Sequence, residues 1–302
     1  MVMRSTDFRS IVEPILNESF DGIYDQRKDE WQDIFATRKG TPRAYHEEPV
    51  LYGFGAAPEL PDGTPVTYQS GGVLFIQRYV YKVYGLAFAL TKVLVEDGDH
   101  ISIGKTYSEH LAQSMIETKE TLAANILNRA FNSSYTGGDG KALCVSDHPI
   151  YNGTFSNVLT TAAALSQTSL EQMLIQIRQA VDNNGKKIRL TPKQLVVGPS
   201  NIFNAEVILN TALRTGSANN DINPVKSMKL LPGGQVNVSR LTSNTAWWVE
   251  TDAPQGLKFM SRRKLERSME GDFDTDSMKY KATERYVYGW TDPRAMYGTA
   301  GV

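Results

Sequence analysis

The 302-residue chain has one cysteine, four histidines, no excess of either charge sign and no long apolar run, and each scarcity removes a class of protein. With Cys144 alone, an intrachain disulfide and a cysteine-based zinc site are both excluded. The formal charge is −1, with Lys and Arg spread along the chain. A protein that grips nucleic acid mainly through phosphates needs a basic excess, so contact with DNA is expected to be passive and non-specific. No window approaches the ~18 apolar residues that span a bilayer, and the start, MVMRSTDFRSIVEP, has no secretory apolar core. The expectation is a soluble chain made in a cytoplasm, with no membrane partner.

What is present is ordinary globular material: 41% hydrophobic and 22% charged residues, enough for one large domain or two modest ones. Residues 1–48 are mixed and charged, with Phe20, Tyr24, Trp31 and Phe35 as scattered apolar anchors. Such a segment builds no core alone but can lie along another surface, its aromatics filling pockets there. Residues 49–90 open with Gly53, Gly55, Pro58, Pro61, Gly63 and Pro65 and continue into the β-rich run Val73–Leu90. A long two-stranded excursion that re-enters the body, a projecting arm, is predicted.

From Lys105 to Phe131 the period becomes helical, with Tyr107, Leu111, Met115, Leu122, Ile126 and Ala130 recurring at spacings of four or seven. A helix over 169–183 follows, capped by Thr168 and Glu171 and closed by Asn184-Gly185, and Ser200 is placed as the cap of another. Short strands are predicted at Gln194–Val197, Val236–Val238, Ala246–Glu250 and Leu257–Met260, and Thr215–Pro224 is a polar loop. The clearest strand begins at Met278. Its even positions run Met278, Tyr280, Ala282, Glu284, Tyr286, Tyr288 and Trp290, while Lys279, Lys281 and Arg285 share the other face. The aromatic face is expected to pack on the 105–131 helix, and the alternation of elements gives an α+β class.

No chemistry accumulates along the chain. His46, His100, His110 and His148 are at least ten residues apart and read as surface or turn residues, with Asp147-His148-Pro149 a turn. Ser102–Lys105 has S-x-x-K spacing without companion motifs, and Gly53-Phe54-Gly55 starts a dinucleotide fingerprint that Pro58 breaks. The acidic run from Asp272 to Asp276 opens like a calcium loop, but Ser277 and Thr283 stand where glycine and glutamate are needed. Trp247-Trp248 reads as one core and one interface tryptophan. No catalytic, cofactor or metal residue is assigned.

Three stretches carry a resemblance: Gly138–Pro149 (GDGKALCVSDHP), Leu213–Pro224 (LRTGSANNDINP) and Asp272–Gly301 with its W-T-D-P-R-A-M-Y-G motif. With the order arm, β excursion, long helix and mixed sub-domain, the chain resembles the major capsid proteins of tailed bacteriophages, in particular the Mu-like prophage major head subunits. The resemblance implies the Hong Kong 97-type fold: residues 1–48 an N-terminal arm, 49–90 the extended loop, 91–158 and 266–302 a peripheral domain around a spine helix, and 159–265 an axial domain. It implies a virion protein that assembles into pentamers and hexamers of an icosahedral shell around double-stranded DNA. Scaffolding, portal and cement proteins are the partners it brings, and a separate scaffold is expected because no fused segment precedes the arm. Contact candidates between subunits are Trp31, Phe35, Phe54, Val73, Phe75, Asn219, Asn220 and Asp221. A same-fold bacterial nanocompartment shell enclosing cargo is the alternative, with an unrecognised soluble enzyme behind it.

Overall fold

The computed structural model describes residues 5–26, 28–91, 94, 100–214, 221–272 and 277–301. It opens with helix α1 (Ser5–Tyr24), a short turn of 3-10 helix at Glu30–Asp33, and strand β1 (Ala36–Lys39). Strands β2 (Tyr45–Tyr52) and β3 (Gly72–Val80) form a two-stranded hairpin, and β4 (Lys82–Thr91) leaves it after a single residue. Helix α2 (His100–Asn128) has 29 residues, about 43 Å at 1.5 Å per residue. It starts five residues earlier than the apolar period predicts and stops three residues short of Phe131. Then come β5 (His148–Ile150), β6 (Gly153–Phe155), α3 (Gln167–Arg178), β7 (Pro192–Val197), α4 (Ile202–Asn210) and α5 (Pro224–Ser227). The chain ends with β8 (Gln235–Asn237), β9 (Trp247–Thr251), β10 (Leu257–Asp272), β11 (Ser277–Trp290) and β12 (Met296–Thr299).

Two four-stranded sheets organise these elements, in the orders β1-β10-β11-β4 and β12-β9-β7-β8. On the first sheet, Tyr280, Ala282, Glu284 and Tyr286 of β11 are buried while Lys279 and Lys281 are exposed, the alternation read from the sequence. Leu111, Ala112 and Met115 of α2 pack with Tyr280 and Ala282, and the other end of α2 meets Tyr286 through Ala123, Ala124 and Leu127. Helix α1 lies in the same layer. Its Val12, Leu16 and Phe20, four residues apart, share one face and close over α2 and Met269. So the N-terminal segment covers a surface of its own chain.

Several local expectations are corrected. The cap of α3 is Ser166, two residues before Thr168: its hydroxyl accepts the Ser169 N–H, and Ser169 returns the bond. The helix ends at Arg178, and Asn184-Gly185 belongs to a separate turn with Gly185 at φ +82°. Ser200 sits in a 3-10 turn, and Asn201 precedes α4 without a side-chain cap. The strand expected at Leu257–Met260 runs on for 16 residues, through register shifts between Ser261 and Glu266. Both members of Trp247-Trp248 are buried in separate cores. Adjacent strand residues point to opposite faces, and the second sheet is covered on both: Trp247 packs with α3 and α4 residues, Trp248 with α2 and β10 residues.

Candidate assembly surface

The hairpin is the feature a single subunit explains least. Between β2 and β3, residues 53–71 carry an Asp62-Gly63 turn, with Gly63 at φ +78°, and no strand. Phe54, Leu60, Val66 and Tyr68 are exposed there, Tyr68 to 95%. Exposed apolar groups clustered on a projection mark a contact surface.

Polar bonds fix the hairpin to the body at two levels. At its base the Glu48 carboxylate meets Lys258 of β10 and Thr291 of the C-terminal motif, and Thr291 also bonds the Tyr79 hydroxyl of β3. Lys258, Thr291 and Tyr79 are each no more than 3% exposed. Burial works to raise the Glu48 carboxyl, but hydrogen bonds from Lys258 and Thr291 together with the Lys258 charge outweigh it, so the group is held below the ordinary carboxylate range. Higher up, Asn183 Nδ2 donates to the Leu51 carbonyl at 2.9 Å and Asn184 Nδ2 to the Gly53 carbonyl at 2.7 Å. Tyr52 stacks on Tyr151 with ring centroids 4.2 Å apart. The Asn183 side-chain oxygen Oδ1 in turn accepts from Arg294 Nη1 at 2.9 Å, which ties the latch to the W-T-D-P-R motif.

The rest of that motif is equally occupied. Asp292 accepts the Arg294 N–H as the cap of a 3-10 turn, and the buried Arg294 guanidinium lies 4.2 Å from the Phe155 ring centroid. Gly298 lies against the Trp248 indole, where an added Cβ would come within 2.3 Å of Cδ1. Asn157 Nδ2 donates to the carbonyls of Leu143, Pro293 and Met296, joining the Gly138–Pro149 stretch to the motif. The bonds and contacts of these motif residues hold the subunit together.

The contact candidates separate. Phe54 and Val73 are exposed, and Phe75 is half-buried opposite Val50 on the hairpin. Trp31 and Phe35 lie inside their own chain: Trp31 packs 4.4 Å from Phe259, and Phe35 meets Tyr288 edge-on at 5.2 Å. Their pocket is formed by β10 and β11 rather than left for a neighbour. Asp221 is exposed beside the Leu213–Ile222 bridge, its carbonyl accepting the Arg214 N–H at 2.7 Å. Asn219 and Asn220 lie outside the described residues, as do most of the acidic run, 273–276, and the side chain of His100.

His148 corrects another reading. It is fully buried, with Nδ1 2.6 Å from Asp139 Oδ2 and its ring stacked on Phe155. Cys144 is buried against the core, which pushes its thiol up and out of reach of ordinary reactivity. Among the described residues no group of three His, Cys, Asp or Glu could hold a metal ion, and no helix is long and apolar enough to cross a membrane.

A body built of two sheets and a long helix, with a latched hairpin thrust outward, defines a building block whose working surface is its contact with other proteins. Residues 77–299 match the family described as Phage capsid protein, and the chain belongs to that family. Among curated protein sequences none matches it. Solved structures share its fold at low identity. The mature capsid of bacteriophage PhiM1 aligns with a TM-score of 0.56 at 11% identity, covering 90% of this chain and 87% of that one. The capsid of cyanophage P-SCSP1u gives 0.55 at 13%, covering 88% and 86%, and the procapsid of bacteriophage JBD30 gives 0.53 at 13%, covering 98% and 76%. The fold is therefore the α+β fold of tailed-phage capsid proteins, and the chain is a major capsid protein.

Proposed function

We propose that this protein assembles through pentamers and hexamers into the icosahedral head of a tailed phage, enclosing double-stranded DNA by non-specific contact. Its role is mechanical rather than catalytic. The observation that carries this reading is the hairpin: an apolar tip held away from the body by buried polar anchors at its base and by Asn183 and Asn184. Rigid presentation of exposed apolar groups costs a monomer solubility and is repaid only when a neighbour covers them. The polar loop from Thr215 to Pro224, which contains Asn219, Asn220 and Asp221, is assigned to contacts near the capsomer axis. Scaffolding, portal and cement proteins are assigned as further partners of the same shell. Membership of the phage capsid family favours a genome-enclosing head over a nanocompartment.

The test is deletion of residues 54–70, which joins Gly53 to Gly71 and spares both paired strands. Light scattering and negative-stain imaging should find megadalton shells for the full chain and none for the deletion, while circular dichroism finds the body folded. Normal particles from the deletion would sink the proposal.

A further inference from the structure

Asn-Gly occurs twice in the chain, at Asn152-Gly153 and Asn184-Gly185. Folding brings the two together: Asn152 lies in the turn between β5 and β6, and Asn184 in a turn that follows α3. The Tyr151 N–H donates to the Asn183 carbonyl at 2.9 Å, and a Cβ added at Gly185 would lie 4.0 Å from the Asn152 carbonyl oxygen. Both turns sit against the neck of the hairpin, where Tyr151 stacks on Tyr52 and Asn184 Nδ2 holds the Gly53 carbonyl at 2.7 Å. Asparagine before glycine readily loses its side-chain amide, because glycine has no Cβ to obstruct ring closure and its backbone turns freely.

The reaction needs no partner beyond water. The glycine backbone nitrogen gives up its proton to solvent and attacks the asparagine Cγ, and the side-chain nitrogen leaves as ammonia. Water then opens the five-membered ring at either carbonyl. One opening leaves aspartate; the other leaves isoaspartate, with the main chain rerouted through the side-chain carbon. Either product exchanges an amide for a carboxylate, which has no proton to donate at neutral pH.

The two sites differ in how they are held. At Asn184 both reacting groups are occupied. The Gly185 N–H donates to the Asp182 carbonyl at 3.1 Å, and Asp182 Oδ1 accepts the N–H groups of Asn184 and Lys186, each at 2.8 Å. The Asn184 amide is itself fixed to Gly53. At Asn152 the side chain is exposed and has no hydrogen bond among the described residues, and the space beside Gly153 is open. We infer that Asn184 is a spontaneous deamidation site gated by the hairpin, protected while the hairpin is latched and converted when it lifts. The carboxylate so formed meets the Gly53 carbonyl as one acceptor against another, so the latch does not close again. Each conversion is therefore a one-way record of an opening. Asn152 has no such gate and converts at the rate its local sequence sets.

Timed peptide mapping of the full-length subunit in mildly alkaline buffer tests this, with aspartyl and isoaspartyl peptides resolved by mass spectrometry. In urea the two sites should convert at similar rates, since only the local sequence acts there. In the folded subunit Asn152 should keep most of that rate, while Asn184 should slow by roughly tenfold to thirtyfold, the effect of two latch bonds. Asn183→Ala removes the neighbouring bond to Leu51. It should speed folded-state conversion of Asn184 about fivefold and leave Asn152 unchanged. Independently, Asn184→Asp copies one product and should lower protection of the β2 and β3 amides against hydrogen exchange by about fivefold, whereas Asn152→Asp should not. Equal slowing of both sites on folding would overturn the gating, and so would an Asn184 that stays intact in urea. Unchanged hydrogen exchange in Asn184→Asp would overturn the link to the hairpin. Every readout is taken on the free subunit, so none depends on shells forming.

Discussion

Lys119 Nζ lies 2.8 Å from Glu284 Oε2, one on the long helix α2 and the other on strand β11, with side chains 11% and 4% exposed. Glu284 is the one charged member of β11's otherwise apolar face, and Lys119 sits on the helix that covers it. The Tyr24 hydroxyl of α1 joins them, so three elements meet at one buried charge pair. Burial and the Glu284 carboxylate both raise the Tyr24 hydroxyl, which keeps it a hydrogen-bond donor.

Removing one partner of a buried pair strands the other without solvent. Lys119→Met should therefore destabilise the subunit by about 3–5 kcal/mol, whereas Lys119→Met with Glu284→Leu should recover much of that loss. Denaturant unfolding of disassembled subunits measures both. A double variant no more stable than the single one would show that the pair does more than neutralise itself.

How much of this was readable depends on how strongly each segment obeys one period. β11 was legible because Tyr280, Ala282 and Tyr286 alternate with Lys279 and Lys281 without interruption. In its partner β10 the sequence pattern marks only the first four residues, Leu257–Met260. The run Ser261–Glu266 carries two register shifts and mostly charged side chains, so the alternation that marks a strand is lost there. The hairpin was legible from its Gly/Pro punctuation, but the Glu48–Lys258–Thr291 anchor joins residues more than 200 positions apart, and no local pattern carries that. The charged neighbours of Trp31 and Phe35 point to anchors for another subunit's surface, whereas the pocket that takes them is built within the chain by Phe259 and Tyr288. His148 was read as a turn residue because Asp147 and Pro149 flank it, while its partner Asp139 stands nine positions back.

Acid should loosen the hairpin's base. Glu48 has a folded pKa below its unfolded value, so its stabilising contribution is present above about pH 4.3 and is lost as pH falls through the folded value. Glu48→Gln removes that contribution and leaves Lys258 buried without a counter-charge. The loss should be on the order of 3 kcal/mol near neutrality and should shrink toward zero in more acidic solution. Thermal melts from pH 7 to pH 3 provide the measurement, and a gap between the two proteins that is constant across that range would contradict the assignment.

Gly298 has no room to grow. Its Cα faces the Trp248 indole across the β9–β12 pairing, and a methyl group there would overlap the ring. Gly298→Ala should cost about 1–3 kcal/mol through displacement of Trp248 in the core it shares with α2. The companion change Trp248→Phe opens space beside the new methyl, so the double variant should lose less than the sum of the two single losses. Strict additivity in urea unfolding would show that the glycine is required for some other reason.

The upper latch predicts an effect on motion that stability measurements would miss. Asn183 and Asn184 together donate two hydrogen bonds to the carbonyls of Leu51 and Gly53, on a hairpin that otherwise projects outward. Each bond contributes about 1 kcal/mol, so Asn183→Ala with Asn184→Ala should lower protection of the β2 and β3 amides against hydrogen exchange by roughly tenfold to a hundredfold. Amides of β7 and β9 in the core should be unchanged. The lower anchor through Glu48 and Lys258 stays in place, so the hairpin should remain paired but gain freedom to swing. A freely swinging hairpin pays ordering entropy on assembly that the latched one has already paid. Shells of the double variant should therefore need a higher subunit concentration to form. An unchanged assembly threshold alongside raised hydrogen exchange would mean that the latch orders the free subunit without preparing it for its neighbours.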